Sequence, residues 1–304
     1  MTTIITKNSS TASAVPVAGD LVQGELAVNV TDKKLYTKDS GGAVVPVGTS
    51  LDDNNPTAAD TVTLGLDAGA AITSASTENT FIGSGAGKTM TAGASRHVAI
   101  GYNAMELATL GTDCVAVGTN ALKNITGSNF VTAVGESAAV SVTTGGQSST
   151  FIGTLAGNSV TTGISNVCIG VLANPTSATA NNQFTLGHTS ITSLRCNVTT
   201  ITSLSDARDK TDIVDTPYGL DFINTLQPRQ FKWATRDGNI KDGKVEQGFI
   251  AQELLEAAGT NKANLNLVLE DNPNKLEASA GNLMPILVKA IQELTARVAE
   301  LENN

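Results

Sequence analysis

Hydrophobic and polar positions follow three rhythms along this chain. Between residues 61 and 190, triplets such as Val98-Ala99-Ile100, Val115-Ala116-Val117 and Val167-Cys168-Ile169 return at regular intervals, aliphatic on one face and small on the other, as short strands alternate. An aliphatic–glycine pair closes each repeat, at Leu64-Gly65, Ile82-Gly83, Ile100-Gly101, Val117-Gly118, Val134-Gly135, Ile152-Gly153, Ile169-Gly170 and Leu186-Gly187. The glycines are 18, 18, 17, 17, 18, 17 and 17 residues apart. An alanine follows three residues later in seven copies, from Ala68 to Ala173, and a second glycine marks mid-repeat at Gly93, Gly111, Gly127, Gly145 and Gly163. Two markers in phase predict a β-solenoid with one coil per repeat, each glycine permitting a corner that a β-carbon obstructs. Ile82, Ile100, Val117, Val134, Ile152 and Ile169 then form a ladder at about 4.8 Å per coil. Small residues dominate the opposite face, and association of chains is expected to cover it.

The second rhythm precedes the repeats. Residues 23–48, QGELAVNVTDKKLYTKDSGGAVVPVG, read as strand, turn, strand, glycine turn, strand, with Leu26, Val28 and Val30 alternating and Leu35 and Thr37 doing the same. This predicts an N-terminal β-meander, and the polar stretch at 49–60 a linker, so that residues 1–60 form one region. The third rhythm is helical. After Pro285, Leu287, Ile291, Leu294, Val298 and Leu301 follow steps of 4, 3, 4 and 3, with Leu283 one step earlier and Lys289, Glu293, Arg297 and Glu300 on the flank. That is a heptad seam, too short to stand alone, and it reads as one helix of a three-helix association. A helix packed on its own domain is the other reading of the same spacing.

Composition sharpens the boundaries. Residues 1–204 hold 20 charged residues and 23 glycines; residues 205–304 hold 27 and 6. A Gly-rich solenoid therefore gives way near residue 204 to a small α/β domain. Only 11 aromatics are present, too few for one large globular core. A net charge of −9 disfavours nucleic-acid binding through phosphate neutralisation, and no run of apolar residues approaches the ~20 of a membrane span. The start of the chain reads as lacking an export leader. Three widely spaced cysteines suggest no disulfide framework, and with two histidines they show no metal-ligand spacing, so neither metal nor cofactor is expected.

Chemistry concentrates beyond residue 204. No His follows His188 and no Cys follows Cys196, which leaves a hydroxyl activated by lysine as the available nucleophile. Ser205-Asp206-Ala207-Arg208-Asp209-Lys210 offers that pair, although Ser-Asp before a polar run is equally a common turn or N-cap.

Three further segments give this motif a context. TSLSDARDKTDI (202–213), YGLDFINTLQPRQFKW (218–233) and GFIAQELLEA (248–257), followed by the terminal helix, resemble the C-terminal intramolecular chaperone of phage tail fibres and endosialidase-type tailspikes, an autocleaving serine-peptidase family. The resemblance implies Ser205 as nucleophile, Lys210 as general base and Leu204–Ser205 as the bond cut, with Asp206 and Arg208 supporting the geometry. It also implies a single-turnover endopeptidase that acts once the chains have assembled. A lysine serves as base only when withdrawn from water, so Lys210 is expected in an enclosed site. Glu253, on a helix at about 249–258, is expected to be a surface or capping group.

The repeat, written for example HVAIGYNAMELATLGTDCVAVGTNAL (97–122), resembles the head repeats of trimeric autotransporter adhesins and a longer-period form in bacteriophage tail fibres. Residues 23–48 are similar to the meander at the virion-attached end of phage fibres. Together these imply a mainly β, trimeric β-solenoid or β-roll fibre: a meander over 1–60, repeats over 61–190, a β-connector over 191–204 and, over 205–304, a chaperone ending in a coiled-coil helix. They further imply a homotrimer, made in the host cytoplasm and carried in the virion. It would contact other tail proteins through its N-terminus and a host-surface glycan or protein receptor beyond. With neither an export leader nor a β-barrel anchor read from the sequence, a virus is favoured over a bacterial adhesin. The alternatives are a polysaccharide-depolymerising tailspike, which needs paired carboxylates, and a neck or collar fibre without receptor contact.

Overall fold

The computed structural model describes residues 7–31, 34–46, 61–73, 75–91, 93–197, 201–236, 238 and 241–303; the linker expected at 49–60 lies outside them. Contacts divide the chain into two units, Met1–Leu186 and Gly187–Asn304, so the compositional break at 204 falls inside the second.

The N-terminal strands are β1 (Lys7–Ser9), β2 (Leu26–Asn29), β3 (Lys34–Lys38) and β4 (Val44–Pro46), paired in that order. β2, β3 and β4 form the expected antiparallel meander, with Val28 opposite Leu35 and Thr37 opposite Val45, while β1 joins parallel to β2. The residues turned inward are Leu21, Ala27 and Tyr36, with Val44 against them, and Val30 faces out. Asn29 is buried because its amide donates to the carbonyls of Thr11 (3.0 Å) and Ala14 (2.9 Å). A buried amide needs such partners.

Eight three-residue strands follow: β5 (Val62–Leu64), β6 (Thr80–Ile82), β7 (Val98–Ile100), β8 (Val115–Val117), β9 (Thr132–Val134), β10 (Thr150–Ile152), β11 (Val167–Ile169) and β12 (Phe184–Leu186). They make one parallel sheet in sequence order, and the register reproduces the glycine intervals: Ile82 pairs with Ile100, Ile100 with Val117 and Val117 with Val134. The protein is mainly β, a β-solenoid followed by a small region richer in helix.

The solenoid's faces are reversed from expectation. The middle residue of each triplet points inward, so Phe81, Ala99, Ala116, Ala133, Phe151 and Cys168 are fully buried, and the aliphatic ladder from Ile82 to Ile169 lies on the outer face. The small-residue face is thus the coil's own core, and the aliphatic one is left open. The cause is volume. One coil has room for about one large side chain where the strand meets the opposite wall, and strand and wall share it. Where the strand supplies Phe81 or Phe151, the residue four after the corner glycine is Gly87 or Gly157, and a β-carbon there would overlap the Phe ring. Where the strand supplies Ala99 or Ala116, that position holds Met105 or Leu122, fully buried, and at β9 both positions are alanine, Ala133 and Ala139. The remaining wall is the alanine column, Ala86 to Ala173, together with Met90, Ile125, Val142 and Val160.

A polar column precedes the strands. Asn79, His97, Cys114, Ser149, Asn166 and Gln183 stand in the same repeat position, interrupted by Val131 before β9, and all but Gln183 are buried. The Asn79 amide donates to the Ala94 carbonyl (3.2 Å) while its oxygen accepts the His97 N–H (2.9 Å); Asn166 accepts the Gln183 N–H (3.0 Å) in the same way. His97 does this with a ring: Nδ1 accepts the Cys114 N–H (3.3 Å) and Nε2 lies 3.0 Å from the Gly111 carbonyl. Both contacts are satisfied by the neutral ring protonated at Nε2, and burial holds the imidazole below its ordinary range. Cys114 and Cys168, in the same interior, have their thiols pushed up to about 11 by burial. Ion pairs staple the first coils together, Lys88 to Asp67 (3.0 Å), Arg96 to Asp113 (2.6 Å) and Lys123 to Glu106 (3.1 Å).

The second unit has a core of Leu226, Leu254, Ala258, Leu265, Leu267, Leu283 and Ile286, with Tyr218, Phe222 and Phe249 packed against it. It contains α1 (Leu220–Ile223), a hairpin of β13 (Arg229–Lys232) and β14 (Val245–Gly248), α2 (Ala251–Ala258), α3 (Lys262–Leu265), a second hairpin of β15 (Val268–Leu269) and β16 (Glu277–Ala278), and α4 (Met284–Glu302). Residues 191–197 and 201–204, expected as a β-connector, contain no strand.

Two outcomes test this account. Gly101 has φ +134, and a β-carbon on it would lie 2.6 Å from the Gly118 oxygen of the next coil, whereas Gly127 has open space. Gly101→Ala is expected to cost at least about 1–3 kcal/mol from its backbone conformation alone, and Gly127→Ala less than about 0.5 kcal/mol, by denaturant unfolding. The second concerns His97. An unfolded histidine titrates near about 6.5 and the folded one lower, so stability present at neutral pH falls as pH drops below that value, by at most about 1.4 kcal/mol per unit. Asp113, which faces the ring beside Arg96, is held down to about 2 by the Arg96 guanidinium and stays ionised through that window. His97→Asn, which places the Asn79 arrangement one coil on, is expected to flatten the stability profile between pH 7 and 5.

Candidate functional site

The SDARDK stretch folds into a single 3₁₀ turn, Ala207–Asp209. Asp206 caps it, its carboxylate accepting the Arg208 N–H (2.9 Å) and gripping the guanidinium at 2.6 Å and 3.0 Å. That double hold draws the Asp206 carboxyl below the usual carboxylate range. Lys210, at the end of the turn, extends back so that Nζ lies 2.5 Å from Ser205 Oγ and 3.3 Å from the Ser205 carbonyl. The short turn closes a five-residue gap into direct contact, bringing together the two groups singled out from the sequence. Asp206 and Arg208 set the turn and do not touch the hydroxyl.

Enclosure is what the single chain does not supply. Residues 201–215 are exposed throughout, with Ile201 and Leu204 essentially fully so. A lysine that takes a proton from a serine hydroxyl needs a dry surrounding, and none of the described residues of this unit covers the pair.

The remaining parts of the unit are built around α4. Ile286 and Ala290 pack inward, and Glu293 accepts the Leu220 N–H at 2.7 Å, capping the first turn of α1. Glu293 is thus a structural acceptor as well as a flanking charge. Leu283 is buried in the domain core and does not extend the seam. Leu287, Ile291, Leu294, Val298 and Leu301 stay exposed, Ile291 by 62 % and Leu301 by 76 %. The helix therefore does both things the spacing allowed, one side packing at home and the heptad side remaining uncovered. Glu253 forms a forked ion pair with Arg229 (2.7 Å to 3.2 Å), tying α2 to β13, and the Arg229 guanidinium lowers its carboxyl. The sequence signal for that tie was an acid on a helix and a base on a strand, which no spacing rule connects.

Residues 205–262 match the family model for the chaperone of endosialidase, peptidase S74. The match begins at Ser205 and takes in the turn, α1, the first hairpin and α2; it is shorter than the resemblance over 205–304. No curated protein and no solved structure matches the chain. Joined to a β-solenoid, the chaperone segment fits a fibre- or tailspike-type protein with a C-terminal chaperone, and the family points to self-cleaving peptidase activity.

Among the described residues no cluster of His, Cys, Asp and Glu has the makings of a metal site, and no helix is long and apolar enough to cross a membrane. Of the acids along the solenoid, Asp67, Glu106 and Asp113 are engaged in ion pairs between coils, while Glu78 and Glu136 stand three coils apart.

Proposed function

We propose that the chain is the precursor of a fibre whose last hundred residues align three copies and are then released by cutting between Leu204 and Ser205. The observation that carries this reading is the contact of Lys210 Nζ with Ser205 Oγ at the point where the chaperone match begins. Lys210 takes the hydroxyl proton as Oγ attacks the Leu204 carbonyl carbon. The proton passes to the Ser205 nitrogen as the C–N bond breaks, leaving Leu204 esterified to Oγ and a free amine on Ser205. Water then hydrolyses the ester, restoring the hydroxyl and leaving a carboxylate on Leu204. Asp206 and Arg208 hold the turn that makes the approach short.

Assembly supplies the missing enclosure in this proposal. Leu287, Ile291, Leu294, Val298 and Leu301 form the seam by which three α4 helices associate, and neighbouring chains cover the exposed 201–210 segment. Cutting would then follow trimer formation. The outer aliphatic face of the solenoid, which its own chain leaves open, supports a homotrimer in the mature part too. The product, residues 1–204, is proposed to be a virion tail fibre made in the host cytoplasm, with its N-terminal meander against other tail proteins and its rod reaching a host-surface glycan or protein receptor. No metal, cofactor, nucleic acid or membrane insertion enters this reading.

Intact mass of the expressed chain is expected to show two products meeting at the 204/205 bond, with Ser205→Ala and Lys210→Arg both remaining whole. Native mass of the same material is expected to correspond to three copies. A cut at that bond in the Ser205→Ala chain would overturn self-cleavage and assign the event to an external protease.

A further inference from the structure

The surface of the solenoid changes character half-way along. The residue two before each strand is charged in the first coils: Glu78, Arg96 and Asp113 occupy it in turn, with Arg96 and Asp113 paired across one coil step. The same position then reads Phe130, Ser148, Ser165 and Asn182, and between Glu136 and Arg195 there is no Asp, Glu, Lys or Arg at all. The strand face beside it also opens. At the third strand position Ile82, Ile100, Val117 and Val134 are half-buried, whereas Ile152 and Ile169 are exposed by 41 and 37 %; at the edge strands Val62 is exposed by 37 % at one end, and Phe184 and Leu186 by 64 and 50 % at the other.

We infer that the charge-free half of the rod, residues 137–186, is the surface through which copies of this chain bind one another, coil against coil at equal height. The inference rests on the multimeric reading above and says where along the rod the association lies. Its occupant follows from periodicity. The outer ladders repeat once per coil, every 17 or 18 residues, and only a partner with the same period meets every rung alike. Copies related by rotation about an axis along the rod satisfy this automatically. Loss of charge is the mark of an interface core, where an unpaired ion taken from water is costly. A sugar ligand fits less well, since Phe184 is the one exposed aromatic among residues 137–186 to stack on a ring.

The test is native mass of the full chain and four double variants at one concentration, with far-UV circular dichroism to confirm the coils. Ile152→Lys with Ile169→Lys places charge on the strand face of this half. Ser148→Arg with Ser165→Asp copies the Arg96–Asp113 pair at the same repeat positions and 17-residue spacing, into residues that already have φ of 55° beside the 60° of the originals. The coil accommodates that pair elsewhere, so this variant remains informative where the lysines impair folding. Both are expected to weaken association by roughly ten-fold or more. Ile82→Lys with Ile100→Lys, and Arg96→Ser with Asp113→Ser, are expected to leave the multimer intact. A parent of single-chain mass would sink the multimeric reading itself. Because the proposed α4 seam would join uncut chains by itself, the masses are read on the 1–204 product: a multimeric parent product whose second-half variants stay assembled, or whose first-half variants dissociate equally, would overturn this inference alone.

Discussion

Everything in the solenoid depends on how closely one coil lies on the next. The corner glycines approach the carbonyl of the following coil so nearly that a β-carbon has no place, and their φ of about +120° to +136° is one that side chains avoid. With that height fixed, each strand pairs with the strand 17 or 18 residues on, and inward residues fall above inward residues. The coil is then too narrow for two large side chains at the strand centre. Phe with glycine, alanine with Met or Leu, and at β9 alanine with alanine (Ala133, Ala139) are combinations it holds, and the aliphatic residues flanking the centre turn out. The open apolar face is therefore a consequence of tight stacking.

The repeat, its period, the glycine corners and the strand register were all legible in the sequence, because each is a periodic signal with a local cause. Which face turns inward was not. Alternation at Val98-Ala99-Ile100 separates two faces without saying which is enclosed, and aliphatic-in is the ordinary default. The coil's width decides otherwise, and it shows only when the Phe81–Gly87 and Ala116–Leu122 exchange is seen across the interior. In the meander too, alternation did not say which face is enclosed: Ala27 and Tyr36 are buried and Val30 is open.

In the second unit the contrast is between near and far contacts. Ser205 and Lys210 are five apart, and the turn that the sequence offered as the alternative to catalysis is the same turn that brings them into contact. The Glu293 cap on α1 and the Arg229–Glu253 fork join residues 73 and 24 positions apart, and nothing in the local pattern signals either. Leu283 was misplaced for a related reason: a heptad counts positions on a helix, but Leu283 precedes the regular α4 and belongs to the turn that packs into the core.

These contacts also bear on why such a rod would carry an alignment domain. Within one chain every neighbouring strand pair is separated by a single coil, so stacking a new coil closes only a short loop, which is neither slow nor entropically demanding. Copies sliding past one another present a different problem. Ladders that repeat once per coil match themselves at every one-coil offset almost as well as in true register, and a misaligned set loses only its end coils. Periodicity that favours self-association thus leaves its alignment poorly specified. In the proposed assembly, a non-repetitive element at one end, with a heptad seam that pairs in one way, would remove that degeneracy before the coils engage. Once the rungs had engaged, sliding would require breaking several of them together, and the aligning element could be cut away without the register being lost.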